Sequence, residues 1–237
     1  MSKRNWLIYK GMPSKDFGVY LNGNETFNGA ERDITTIEVP GRNGNLTIDN
    51  GRFKNITITY HAFIFENFSD NTEAYRNLLL STSGYNKLED TFHPEEYRMA
   101  RFSGGFIAEP KKTLEVGGFD IVFDCMPQRF LKSGDNPIEL TASGSIRNPH
   151  LMEARPLIRV YGVGTVTVGN VPITVTANES YIDIDCETES AYCGSTNLNG
   201  NIVLSDGKFW RLSPGYIDVV LGTGVTKVII YPKWWLL

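Results

Sequence analysis

Apolar and polar residues alternate along residues 56–65, and this pattern organises the first half of the chain. One face of the segment carries only apolar or aromatic side chains, at Ile56, Ile58, Tyr60, Ala62 and Ile64. The other face begins with polar residues and ends with Phe63 and Phe65. A period of two residues indicates a β-strand. We therefore predict a strand whose last residues are covered on both sides.

Turn-forming residues precede this strand. Pro40-Gly41 suits a tight turn because proline fixes φ and glycine tolerates a positive φ, and Asn43-Gly44 is a second candidate. Asn50-Gly51 lies between two β-rich segments, which predicts a two-residue hairpin turn. That register would place Leu46 and Ile48 on the face opposite to the core residues of the next strand, so either both faces are covered or a bulge shifts the register. Such a hairpin needs a second surface, and a neighbouring subunit is one candidate.

The rest of the first half adds short strands and one helix. The helix is predicted to begin at Asp70, with Glu73 three residues later, and apolar residues then recur at helical spacing. Alternation over residues 119–125 predicts a strand that closes the first domain. Sheets with one helix make residues 1–130 an α+β domain.

Residues 131–156 are rich in turn residues and predict a linker, because a loop of this length is uncommon inside a compact domain. From residue 157 onward the pattern contains only short strands, for example at 157–161, 209–212 and 225–231. Short strands at this spacing are typical of a β-sandwich. The predicted fold class is mainly β, with an N-terminal α+β domain followed by a β-sandwich over residues 157–237.

Composition and charge limit the classes of function that the chain can have. The chain has 237 residues, of which 21% are charged and 41% hydrophobic, as in ordinary globular proteins. The net charge is −4 and no run of Lys or Arg is longer than two residues, which argues against nucleic-acid binding. No apolar segment approaches the roughly 20 residues of a membrane span, and the first ten residues are too polar for a signal peptide. We expect synthesis in a cytoplasm.

Candidate catalytic and metal-binding groups are sparse. Four carboxylates at alternating positions would line one strand face, at Asp183, Asp185, Glu187 and Glu189. They lack the glycine and the final glutamate of an EF-hand loop, so a solvated strand face is favoured over a calcium site. The histidines lack zinc-site spacing, and no nucleophile-elbow motif is present. We expect no catalytic residue, no metal and no cofactor.

Two neighbouring indoles lie near the end of the sequence, at Trp234 and Trp235. An indole at such a position closes the core, anchors a protein partner or stacks on a sugar. Arg42 also has two interpretations, because an arginine in a turn either contacts nearby backbone or anchors a subunit contact. The sequence leaves these alternatives open.

Several segments resemble, in their order and spacing, the phage tail-tip proteins called distal tail proteins, or Dit. The segments are Val-Pro-Gly-Arg-Asn-Gly-Asn-Leu at 39–46, Asn-Gly-Arg-Phe-Lys-Asn-Ile at 50–56, and residues 119–127, 181–185, 197–199, 212–215 and 230–237. The resemblance covers nearly the whole chain. It implies an N-terminal ring-forming domain and a galectin-like C-terminal β-sandwich.

The resemblance also implies a function in the virion of a phage with a long non-contractile tail. In the family, six copies form a ring at the distal end of the tail tube. The implied partners are further copies of the chain in a homohexamer, the tail tube protein, a tail-tip fibre or tail-associated protein, and a baseplate or receptor-binding protein. No nucleic acid and no membrane insertion are implied, and the protein would be made in the host bacterial cytoplasm.

The matching motif carries a set of subunit-contact residues over to this chain. They are Arg42, Asn43, Leu46, Ile48, Phe53, Phe63 and Phe65. Trp234 and Trp235 are the candidates for a partner or sugar contact. A carbohydrate-binding β-sandwich module that assists host adsorption is the alternative function. A cell-wall hydrolase is disfavoured because a catalytic constellation is missing.

Overall fold

A computed structural model describes residues 4–23, 29–111, 116–178 and 180–237, without the side chains of residues 109–111. The chain divides into two compact units, unit 1 (residues 1–129 and 237) and unit 2 (residues 130–236). The described part is mainly β with one α-helix, which confirms the predicted fold class. None of the described helices has the length and apolar character that a membrane span requires.

Unit 1 combines one large sheet, one helix and a separate strand pair. Its strands are β1 (Leu7–Tyr9), β2 (Met12–Pro13), β3 (Val19–Asn22), β4 (Arg32–Ile37), β5 (Leu46–Phe53), β6 (Ile56–Ile64), β7 (Asn86–Asp90), β8 (Glu96–Phe102), β9 (Ala108–Lys111) and β10 (Val116–Cys125). The helix α1 spans Phe68–Leu80, and a short 3-10 helix spans Ser14–Phe17. The large sheet has the strand order β2-β1-β7-β8-β10-β6-β3, with β9 also paired to β10. Strands β4 and β5 form a sheet of their own.

The core of unit 1 lies between α1 and the large sheet. Strand β6 contributes Ile58, Ala62 and Ile64, the face that the alternation predicts to be apolar. Helix α1 contributes Tyr75 and Leu79, both fully buried. The other face of β6, which carries Phe63, points away from this core.

Helix α1 starts earlier than the sequence predicts. The residue before its first turn is Asn67, which has a left-handed backbone with φ of 49° and makes no side-chain capping hydrogen bond. Asp70 instead lies within the first turn, where its negative charge interacts favourably with the helix dipole. Phe68 is 5% exposed and belongs to the core, so tertiary packing extends the helix towards it.

Unit 2 consists of two sheets that enclose one core. Its strands are β11 (Arg129–Leu131, which begins at the unit boundary), β12 (Ile138–Leu140), β13 (Gly144–Asn148), β14 (Leu157–Gly162), β15 (Gly164–Val168), β16 (Val171–Val175), β17 (Ile182–Asp185), β18 (Ser190–Cys193), β19 (Thr196–Asn197), β20 (Ile202–Leu204), β21 (Gly215–Leu221), β22 (Val225–Tyr231) and β23 (Trp235–Leu236). One sheet has the order β12-β22-β14-β17-β18-β19 and the other β13-β21-β15-β16-β20, while β11 pairs with β23 outside these two sheets. Short 3-10 helices span Lys132–Asp135 and Asn199–Asn201.

Both sheets contribute to the core of unit 2. Ile158 and Ile230 come from the first sheet and Val219 from the second, and all are fully buried. Trp210 fills the space beside them with an exposed fraction of 0%, and its indole N–H donates to the Val171 carbonyl at 2.9 Å. This two-layer arrangement is a β-sandwich.

The structure differs from the predicted linker at 131–156. Ile138–Leu140 pairs with β22, and Gly144–Asn148 pairs with β21, so each sheet of the sandwich contains a strand from this segment. These strands are too short to show a period, and their neighbours are turn residues. The strand predicted at 209–212 does not form either. In this segment Leu212 makes an isolated bridge to Ala154.

Candidate subunit interface

Strands β4 and β5, with the connection 38–45, form an arm that pairs with no other strand in the described part of the chain. The arm's connection contains Pro40-Gly41 and Asn43-Gly44, the two turn candidates from the sequence. Gly41 and Gly44 have φ of +80° and +83°, a region that favours glycine. The Arg42 N–H donates to the Val39 carbonyl at 3.1 Å, which closes a tight turn.

Asn50-Gly51 does not turn the chain, and the hairpin predicted at this dipeptide is wrong. Strand β5 continues through it to Phe53. On one side of the dipeptide Asp49 lies opposite Ile34, and on the other side Phe53 lies opposite Arg32. Three residues of β5 therefore face one residue of β4, which is a bulge in the β4–β5 pair and not in the predicted hairpin with β6. Gly51 supplies the positive φ of +74° that the bulge needs.

Exposed aliphatic side chains lie on both faces of the arm. Residues directly opposite each other in a ladder share a face, so Ile37, Leu46 and Ile48 form one cluster, which we call the apolar patch. Their exposed fractions are 44%, 41% and 45%. Ile34 lies on the opposite face together with Phe53, whose ring is 4.9 Å from the Arg32 guanidinium. An isolated strand pair with this much exposed apolar surface is marginally stable in water.

Ion pairs hold the arm's two strands in register. The Arg32 guanidinium lies 2.6 Å from the Asp49 carboxylate, and Arg52 lies 2.6 Å from Asp33. Hydrogen bonds from Arg52 and Asn50 lower the pKa of Asp33, and a hydrogen bond from Arg32 lowers that of Asp49. These pairs fasten the two strands to each other at the base of the arm.

A second apolar surface of unit 1 lies on the outer face of the large sheet. Tyr20 and Phe63 are cross-strand neighbours with ring centroids 6.1 Å apart, and Phe63 packs edge-on against Phe65 at 4.5 Å. The guanidinium of Arg4 lies 4.6 Å from the Phe65 ring. We call Tyr20, Phe63 and Phe65 the aromatic face. The Phe65 residue is 48% exposed.

A shallow groove of about 1000 Å³ continues from the aromatic face along β10. On β10 the residue opposite Phe63 is Gly118, so no side chain fills the space beside that ring. Ile107, which is 73% exposed, and Val122 line the groove further along. A glycine within a strand often marks a place where another chain segment approaches closely.

The structure gathers the predicted subunit-contact residues on two surfaces. Leu46 and Ile48 lie in the apolar patch, and Phe63 and Phe65 lie on the aromatic face. Three further predicted residues, Arg42, Asn43 and Phe53, lie in the arm at its turn and at its base.

Sequence reasoning missed Ile37, Tyr20 and Arg4. Ile37 joins the patch because it pairs with Leu46. Tyr20 and Arg4 lie more than forty positions from Phe65 in sequence and meet it only in the folded unit. An alternating pattern in β3 was the only signal that could have placed Tyr20 on this face.

Trp234 and Trp235 occupy different environments in unit 2. Trp234 is 6% exposed and belongs to the core, which leaves little of the ring for a ligand. Trp235 is half-buried against the same core and donates its indole N–H to the Glu153 carbonyl at 3.0 Å.

The acidic row at 183–189 does not form one solvated face. Asp183 is 4% exposed and accepts two hydrogen bonds from the Arg159 guanidinium, at 2.7 and 2.8 Å. That guanidinium lies 3.9 Å from the centroid of the Tyr181 ring, which helps to cover the pair. Within the described residues no three His, Cys, Asp or Glu side chains gather as a metal site would require.

Known structures share this fold. The Dit protein of phage SPP1, described as a paradigm of the hub adsorption apparatus in phages that infect Gram-positive bacteria, matches with a TM-score of 0.73 and 13% identity over 96% of this chain and 98% of that chain. Two structures of the phage P2 baseplate in its activated conformation, with Ca and with Sr, each match with a TM-score of 0.53 and 11% identity over 96% of this chain and 97% of the other. No protein-family model and no curated protein sequence matches the chain. The resemblance to distal tail proteins is thus confirmed for the fold.

Proposed function

We propose that this chain is a structural protein of a long non-contractile phage tail, and that it forms a hexameric ring at the distal tip of that tail. The observation that carries the proposal is the fold shared with the SPP1 Dit hub protein over nearly the full length of both chains. The chain acts by assembly and not by catalysis. It is made in the bacterial host and resides in the virion.

The two apolar surfaces of unit 1 support a ring. The apolar patch and the aromatic face are unlike each other, so a contact between the patch of one copy and the face of the next is heterologous. Heterologous contacts generate a closed ring when a whole number of rotations from one subunit to the next adds up to a full turn. Burying both surfaces also removes aliphatic and aromatic groups from water, which is favourable.

The size of the arm fits such a contact. The arm and its base span residues 31–54, which is within the roughly 20–30 residues a side that a standard interface buries. The groove beside Gly118 offers room for an approaching strand, and the Phe63 and Phe65 rings flank it. Aromatic residues at the centre of an interface typically contribute most of the binding energy.

The ring would serve as a connector. We propose that it joins the tail tube protein to a tail-tip fibre or tail-associated protein, and to a baseplate or receptor-binding protein. Support comes from the hub and baseplate assemblies to which the matched structures belong.

Light scattering on a sizing column tests the ring directly. We expect a particle of about six times the 26.6 kDa chain mass. A particle with the mass of one chain at every protein concentration and salt concentration would contradict ring formation by this chain alone.

A further inference from the structure

One end of the unit 2 sandwich carries a cleft lined only by residues of unit 2. The cleft measures about 830 Å³ and lies where the β15–β16 turn, the segment 207–213 and the start of β21 meet. The turn is tight, with Val168 opposite Val171 and the Gly169 N–H donating to the Asp218 carbonyl at 2.8 Å. Loops at the end of a β-sandwich are held rigidly by the sheets, which makes them suitable positions for binding residues.

An exposed aromatic ring lines this cleft. Tyr216 is 78% exposed, although it lies within strand β21 and its neighbour Ile217 is in the core. Its cross-strand neighbour is Arg147, whose guanidinium lies 5.7 Å from the ring centroid. The strand fixes the backbone of Tyr216, and Arg147 flanks the ring from the β13 side. A large ring held in this way is a platform on which a flat apolar surface can stack.

Polar side chains line the same cleft as the ring. The Glu153 carboxylate accepts from the Arg211 guanidinium at 2.9 Å and from the Ser213 hydroxyl at 3.3 Å, so its position is fixed. In contrast, the side chains of Asn170 and Asp218 have no hydrogen bond or ion pair to another described residue. The cleft thus offers both fixed and uncommitted donors and acceptors at its rim.

Lys208, which also lines the cleft, brings the charges close to balance. Three carboxylates line the cleft, at Glu153, Glu189 and Asp218, and the three positive charges near them are Lys208, Arg211 and, beside the Tyr216 ring, Arg147. A balanced cleft does not favour a phosphate or another strongly charged ligand. It suits a neutral molecule that presents many hydroxyl groups.

We propose that this cleft binds a neutral saccharide, with one pyranose ring stacked on Tyr216 and its hydroxyl groups hydrogen-bonded to Asn170 and Asp218. The C–H groups of a sugar form an apolar face that matches an aromatic ring, while its hydroxyl groups both donate and accept hydrogen bonds. A protein partner fits less well, because the centres of protein interfaces are depleted of Lys, Glu and Asp. The site gives unit 2 a binding function of its own, independent of ring formation.

Saturation-transfer NMR on the full chain tests the proposal with three probes, the trisaccharide of N-acetylglucosamine, maltotriose and galactobiose. The method detects weak binding to a single chain and to a ring alike. We expect at least one probe to show transfer to the C–H protons on one face of one sugar ring. No transfer to any of the three probes would overturn the proposal.

Variants locate the site. Tyr216→Ala should weaken binding at least ~10-fold, which corresponds to about 1.4 kcal/mol, because the stacking platform is lost. Tyr216→Phe should retain most of the binding, because the ring remains. Val203→Ala is the matched control, since Val203 is 51% exposed in the same sheet and does not line the cleft. Equal binding by Tyr216→Ala and the unaltered chain, or equal loss in all three variants, would overturn the assignment.

Discussion

Replacing the apolar patch of the arm by threonine should weaken the ring without unfolding unit 1. The variant is Ile37→Thr with Leu46→Thr and Ile48→Thr. Threonine favours strands as strongly as the residues it replaces, and the arm's ion pairs remain in place. The arm therefore keeps its ladder and loses only its apolar surface.

The expected size of the effect follows from the exposure of the three side chains, which is 44%, 41% and 45%. Fully burying an aliphatic side chain stabilises by about 1.5–3 kcal/mol, so burying the remaining two-fifths contributes roughly 0.6–1.3 kcal/mol for each residue. Three residues give roughly 2–4 kcal/mol for each subunit contact. Threonine keeps one methyl group, so we expect a loss of ~1.4–2.8 kcal/mol, or about 10–100-fold in the association constant of each contact.

Sedimentation velocity over a series of protein concentrations measures this loss. A closed ring has one contact for each chain, so the losses add around the ring and the variant should dissociate at concentrations where the unaltered protein stays assembled. The control is Leu80→Ser, because Leu80 is 59% exposed at the end of α1 and lies outside both apolar surfaces. If the threonine variant and the control assemble equally well, the apolar patch is not part of the subunit contact.

Three further outcomes test other parts of the structure. Arg159→Ala should destabilise unit 2 by about 3 kcal/mol because it leaves the buried Asp183 charge without a partner, and adding Asp183→Asn should recover part of the loss in urea unfolding. Leu79→Ala should cost ~2–5 kcal/mol in the same assay, since Leu79 is fully buried, whereas Leu80→Ala should cost less than ~0.5 kcal/mol. The lowered pKa values of the two arm carboxylates make the arm's ladder most stable above their usual pKa of about 3.9, and this stability is lost as the pH falls through the lower folded values. Amide chemical shifts of the arm should therefore move to unpaired values only in acid, and a ladder that already opens near neutral pH would contradict the role of the ion pairs.

Period-two alternation was sufficient to predict the long strands β6 and β10 of unit 1. Strand β6 and its inward side chains follow directly from the pattern, because half of its residues face the core and half do not. Gly169-Asn170 has the residues of a hairpin turn, and it joins β15 to β16 with Val168 opposite Val171.

Asn50-Gly51 shows where local signals fail. The dipeptide has the chemistry of a hairpin turn, but β5 finds its partner in β4 and not in β6. The positive φ that glycine supplies was predicted correctly, and its use in a bulge depends on the pairing of strands, which no local pattern specifies.

The predictions for Asp183 and for the segment 131–156 were wrong for a different reason. Alternation places Asp183 on the outer face of its strand, but Arg159 and Tyr181 cover it there. Burial of that kind depends on side chains from other positions. Strands of three to five residues within 131–156 are likewise defined by their partners in β21 and β22. The aromatic face also depends on such distant neighbours, so the sequence could suggest Phe63 and Phe65 but not Tyr20.

The bulge at Asn50-Gly51 also constrains how the arm can change during evolution. Because β5 gains two residues relative to β4, and side chains alternate with a period of two, Asp49 and Phe53 remain on the same face. An insertion or deletion of two residues at this point shifts the strands against each other without exchanging the faces. A change of one residue would exchange the two faces of β5 in either the base or the tip of the arm. Lineages that carry this arm should therefore vary in length here by even numbers.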